Sequence, residues 1–275
     1  MARELSFESP SFTKRLKGML GVDFYRLFHT PLYYIFLAIA AIIPAMILGT
    51  GGMENPQTGE VSAQLYTNVW HIIAAESPLY VVSDIAEYAN MNMVFIFGGI
   101  MVSIFIGHDY KSGYVKQLFT THAKKMDYML SKTISCAFAM ACMCVTYLIG
   151  AVAAGLLTGI SFEVNVGSLI FAVLGKLVMS LGWASLYTFL NTIFRKYFGV
   201  SIASSFFFGT GILIIGAAAI LGNNSVLNIF LYGSSVFACL SSTPVTLAVC
   251  LACSVVWAVV YNVLGTLILS KSDVY

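Results

Sequence analysis

Six stretches of this chain run almost without charge, and each is long enough to cross the hydrocarbon core of a bilayer. They lie at 31–49, 91–107, 133–158, 168–192, 200–221 and 244–270, and the one charged side chain among them is Lys176. A core of ~30 Å takes about 20 helical residues at 1.5 Å each. Backbone in lipid must satisfy its own amides, which leaves helices or a closed barrel, and these runs lack the period-two alternation of barrel strands. The chain is therefore expected to be all-α, a polytopic membrane protein of six transmembrane helices forming one transmembrane domain over residues 1–275. Composition agrees, with 59% hydrophobic and 9% charged residues, against roughly 25% charged in a soluble domain.

The 14 Lys+Arg and 12 Asp+Glu nearly cancel, so their placement carries the information. Arg3, Lys14, Arg15, Lys17 and Arg26 precede the first run, and Lys111, Lys116, Lys124, Lys125 and Lys132 follow the second. Arg195 and Lys196 follow the fourth, and Lys271 follows the sixth. With six spans, every basic residue but Lys176 falls on one face, which the positive-inside rule makes cytoplasmic together with both termini. The opposite loops carry only acids: Glu54, Glu60, Glu76, Asp84, Glu87 and Glu163. The expected location is the cell membrane, as a multi-pass protein. Residues 1–17 lack the apolar core of a signal peptide, so the first run is expected to stay in the membrane.

Between the spans, three segments have character of their own. Over 11–28, Phe12, Leu16, Met19, Leu20, Phe24, Leu27 and Phe28 recur at three- and four-residue intervals with basic residues mostly off the stripe, which predicts a helix lying in the cytoplasmic interface. The outer loop 50–90, about 40 residues, is too long for a plain connection, and its Val69-Trp70-His71-Ile72-Ile73 run is expected to pack on the outer helix ends. Residues 222–243 hold apolar runs too short to cross and predict an outer re-entrant hairpin. The Cys250-x-x-Cys253 pair has no companion His or second pair, so no metal site is expected and the cysteines are read as small packing residues.

Several kinds of energy coupling are missing. The Gly175-Lys176 pair is followed by Leu177 inside a span, so there is no phosphate-cradling loop ahead of a helix. The cytoplasmic loop 108–132, about 25 residues, is far smaller than an independent domain. None of the six runs holds an Asp or Glu of the kind that couples carriers to protons or sodium. No His-Glu-x-x-His or Gly-x-Ser-x-Gly motif is present, and no catalytic residue is assigned.

The loop 108–132 reads His108-Asp109-Tyr110-Lys111-Ser112-Gly113-Tyr114-Val115-Lys116-Gln117-Leu118-Phe119, then Thr120-Thr121-His122-Ala123-Lys124-Lys125-Met126-Asp127-Tyr128-Met129-Leu130-Ser131-Lys132. It resembles the loop of the ABC-2-type exporter permeases. In that family an acidic residue and a glycine near the end of the second span precede a short coupling helix, and a polar turn, a Tyr and a Lys lead into the third span. Asp109, Gly113, Leu118-Phe119, Lys124, Tyr128 and Lys132 stand in those places, with Asp109 where Glu is usual and Thr121-His122-Ala123-Lys124 where Pro-Ser-Arg is frequent. The interfacial helix, the six spans and the hairpin before the last span extend the resemblance along the chain.

The resemblance implies a permease without its own ATPase site, moving an amphipathic peptide, lipid or drug-like substrate outward. It implies two partners in the bilayer, an ATPase subunit that binds ATP and Mg and a second permease copy, identical or related, with no nucleic acid. Asp109, Gly113, Tyr114, Lys116, Phe119, Lys124, Lys125, Tyr128 and Lys132 would be the coupling residues, with Phe119 and Tyr114 as aromatic anchors inside a charged rim. The alternatives are a self-sufficient channel or secondary carrier, and a membrane enzyme.

Small and polar residues also recur four apart along the helices. Lys176, Ser180 and Thr188 share a stripe in the fourth run, and Ser201, Ser205 and Gly209 share one in the fifth. Such stripes serve either close helix packing or the wall of a polar pathway. The resemblance places the second and fifth spans beside the central cavity of a dimer, so Ser205 is expected near the two-fold axis. Lys176 either snorkels to the outer headgroups or faces the pathway.

Overall fold

The computed structural model describes residues 11–49, 69–74, 93–120, 123–211, 229–240 and 243–271. Among these residues the chain is helical, without a strand longer than a single bridging contact at Ser161. Four helices are long and apolar enough to cross a membrane: α4 (Met93–Lys111), α6 (Lys125–Thr158), α7 (Val166–Ile193) and α10 (Pro244–Lys271). A fifth crossing is available if α1 (Phe12–Phe28) and α2 (Pro31–Gly49), which meet at a 66° bend, act as one broken span. The chain thus has the build of an α-helical membrane protein. The expected fifth run is described only as far as Gly211, as the helix α8 (Phe198–Gly209) and a turn. Of the loop 50–90 only α3 (Val69–Ala74) is described, and of the hairpin 222–243 chiefly α9 (Leu231–Leu240).

The breaks between elements follow from local chemistry. Pro31 opens α2 at its first residue, where the missing amide proton costs nothing, while His29 and Thr30 close α1 by donating their amides to Tyr25 and Leu27. Between α4 and α5 (Tyr114–Thr120), Gly113 turns the chain at φ 75°, a left-handed conformation that side chains with a Cβ resist. The side chain of Asn165 caps α7 by accepting from the Gly167 amide at 2.9 Å.

The centre of the molecule is α7, packed against α10, α6 and α4. Phe95, Trp183 and Tyr187 stack there at 5.7 and 5.6 Å between ring centroids. Their polar atoms are satisfied: Tyr187 donates to the Phe95 carbonyl at 2.9 Å and Trp183 Nε1 to Ser235 Oγ at 2.8 Å. α2 lies along α6, and Gly150 is where they meet, since a Cβ there would collide with the Ala41 backbone. α8 lies along α4. α3 packs on α6, with Val69 and Ile73 buried and the Val69 amide bonded to the Ser161 carbonyl at 3.0 Å. The outward faces of α2, α6 and α10 are apolar, with Ile42, Ile149, Val256 and Val259 each more than half exposed.

Candidate functional site: a buried ion network under the short helix

At the end of the bundle that carries the basic residues, four charged side chains from three helices meet, three of them buried and Arg26 partly exposed. Asp23 and Arg26 are three apart on α1 and so share a face. Asp109 sits in the last turn of α4, four residues beyond Phe105, and Lys132 in the second turn of α6. Lys132 Nζ lies 2.6 Å from Asp23 Oδ1 and 2.5 Å from Asp109 Oδ2. Arg26 Nη2 pairs with Asp109 Oδ1, and Ser131 donates to Asp23 Oδ2 at 2.6 Å. Asp109 and Lys132 are fully buried and Asp23 is 2% exposed.

Two acids against two bases make the cluster neutral, and this is how the charges survive burial. Aromatic faces complete the enclosure: Arg26 Cζ is 4.4 Å from the Tyr114 ring centroid, and Lys132 Nζ is 4.7 Å from that of Phe105. Burial alone would lower the Arg26 pKa, but the hydrogen bond and charge of Asp109 raise it. Burial pushes the Tyr114 hydroxyl up, so it stays neutral beside the pairs. A second link runs parallel, from Arg15 Nε to Asp127 Oδ2 at 2.7 Å.

The nine expected coupling residues divide by direction. Asp109, Lys132 and Tyr114 build the network, and Gly113 makes the turn that sets α5 beneath it. Tyr128 is buried with Val115, Met129 and Leu269 in a small core of its own, which Phe119 covers edge-on at 5.7 Å. Lys125 bonds the Leu269 carbonyl at 2.6 Å, tying the start of α6 to the last turn of α10. Lys116 and Lys124 are exposed, as are Lys111, Gln117 and Thr120. The outward side of α5 is thus basic and polar. Tyr114 and Phe119, expected as aromatic anchors inside a charged rim, are half-buried, Tyr114 against Arg26 and Phe119 against the buried Tyr128.

Sequence reasoning left out Asp23, Arg26, Ser131, Arg15 and Asp127. A signal for the first was present: Asp23 stands on the apolar stripe of α1 between Met19 and Leu27, at helical intervals from both. A carboxylate on a stripe meant for burial needs a partner.

The six expected pathway residues are all buried within the one chain. Ser205 Oγ is 2.7 Å from Ser103 Oγ, Asn191 Nδ2 donates to Ser103 Oγ at 3.1 Å, and Ser201 Oγ donates to Asn191 Oδ1. This polar seam joins α4, α7 and α8, and Ser205 faces α4. Gly209 lets α8 approach α7, since a Cβ there would stand 2.8 Å from the Tyr187 hydroxyl oxygen. Ser180 and Thr188 donate back to the carbonyls of Lys176 and Ala184 on their own helix. Lys176 is fully buried, donating to the Ser235 carbonyl of α9 at 2.7 Å with its ammonium 5.9 Å from the Phe95 ring centroid. It extends into the protein toward α9.

No family model and no curated protein matches the chain.

Proposed function

We propose that this chain is the membrane-spanning permease subunit of an ATP-driven exporter of the ABC-2 type, moving an amphipathic substrate across the cytoplasmic membrane. The observation that carries this assignment is the α4–α5–α6 turn: a short helix between two long apolar helices, polar and basic outside and packed inside, through the Tyr114 ring, against an ion network that its flanking helices supply. A partner that pulls on α5 cannot move it alone. Asp109 and Lys132, on the flanking helices, would have to part from Asp23 and Arg26, and stranding a buried charge costs about 3–5 kcal/mol. The movement is therefore passed to α1 and to both long helices together. This is what a chain needs if it borrows its work from ATP hydrolysed elsewhere, by a subunit holding ATP and Mg. Six spans, cytoplasmic termini and a second permease copy belong to the same proposal.

The test is co-expression with the product of the neighbouring reading frame, purification, and ATPase assay in lipid. A Walker-containing partner should co-purify. Lys116→Glu with Lys124→Glu should release it without changing the melting temperature of the permease, because both side chains are exposed. Flux through liposomes that hold the chain alone, driven by an ion gradient or by none, would instead make it a carrier or a channel.

A further inference from the structure

A groove of about 470 Å³ opens on the outer surface of the bundle between α6, α7 and α10. Met126, Leu130 and Ile134 line one side and Val259, Val263 and Leu267 another, with Thr133 and Asn262 hydrogen-bonded to each other at 3.0 Å in its wall. Along α10 the lining runs from Val255 to Leu267, ~18 Å at 1.5 Å per residue, close to one leaflet of a ~30 Å hydrocarbon core. It occupies the half of α10 nearest the basic end of the bundle. At that end stand Lys124, directly before α6, and Lys271, four residues beyond Leu267 and so on the same side of the helix; both are exposed. Lys125, bonded to the Leu269 carbonyl, bridges the two helices there.

We infer that this groove holds one acyl chain of an anionic phospholipid whose headgroup meets Lys124 and Lys271. The apolar lining suits a hydrocarbon chain, its length stops at one leaflet, and the cations stand where the phosphate would lie. The exposed apolar face of α10 continues past the groove to Val245, but the groove and the cations beside it lie at the basic end alone. The site does not depend on the transport assignment.

The full-length chain, purified in detergent, is titrated with phosphatidylglycerol or phosphatidylcholine and followed by native mass spectrometry. One phosphatidylglycerol should bind at least tenfold more tightly than phosphatidylcholine. Lys124→Gln with Lys271→Gln should bring the two lipids level, and these surface changes leave the packed helices intact. Val259→Trp, at a position 58% exposed on the groove, should weaken both lipids at least tenfold. Glycerol phosphate, which has the headgroup chemistry without the chain, should not compete. Lipid binding untouched by Val259→Trp would overturn the assignment, as would equal binding of the two lipids in the parent chain. Loss of a dimer on Val259→Trp, with lipid binding unchanged, would make the groove an interface between copies and overturn it too.

Discussion

A lysine between two aspartates, all three out of water, sets the largest single-residue effect in this molecule. Lys132→Met would leave Asp23 and Asp109 with only Arg26 between them, and an uncompensated buried charge costs about 3–5 kcal/mol. We predict a marked fall in melting temperature in detergent. Lys132→Met with Asp23→Leu, which restores neutrality, should recover a large part of it in a double-mutant cycle. Equal stability of the single variant and the parent would show that the network does not clamp these helices. Ser205 gives a second test at this scale. With Ser103 and Ser205 oxygens 2.7 Å apart, Ser103→Cys with Ser205→Cys should oxidise to a link within one chain, and Ser205→Cys alone should give no crosslinked dimer on a gel. A dimer band from that single variant would instead place α8 beside the two-fold axis.

Among the elements, the short helix α5 depends on its turns more than on its own length, since a single helix this short does not persist unaided. Gly113 at φ 75° is the turn that aims it. Gly113→Ala meets no neighbouring atom, so its cost is conformational, about 1–2 kcal/mol. The expected consequence is faster limited proteolysis between α4 and α6 with little change in the melting of the bundle. Unchanged cleavage would mean that the loop tolerates another path. α1 is held differently. Its apolar stripe suits a membrane surface, but Asp23 and Arg26 fasten it to α4 and α6, so its position is fixed by ion pairs as well as by the hydrophobic effect.

For the molecule as a whole, the apolar outward face of α10 has a direct consequence. Val256, 58% exposed near the middle of that helix, should meet lipid, and an arginine at the centre of a membrane helix costs about 2.5–3.5 kcal/mol on insertion scales. Val256→Arg should lower the inserted fraction in a membrane-integration assay, while Lys116→Arg should not. Insertion unaffected by Val256→Arg would argue that α10 is shielded by protein.

The long apolar runs were legible because they depend on local composition alone: lipid solvates a run of uncharged residues whatever the rest of the chain does. α2, α4, α6, α7 and α10 therefore fall where uncharged sequence predicts, and the glycine and proline breaks follow from φ preferences that need no tertiary partner. The loop 108–132 was singled out by its charges and its resemblance. What sequence could not assign was the direction in which those charges point. Asp109 and Lys132 are 23 positions apart and Asp23 is 109 from Lys132, and nothing local says that they meet. The stripes of Ser180, Thr188, Ser201 and Ser205 had two readings for the same reason. A small polar residue spaced by four fits a packed seam or a pathway wall equally, and only tertiary structure brings Ser103 and Asn191 to Ser201 and Ser205, while Ser180 and Thr188 bond back to their own helix. Tertiary structure chose the partners, because a buried polar or charged group is tolerable only where another chain segment supplies its counterpart.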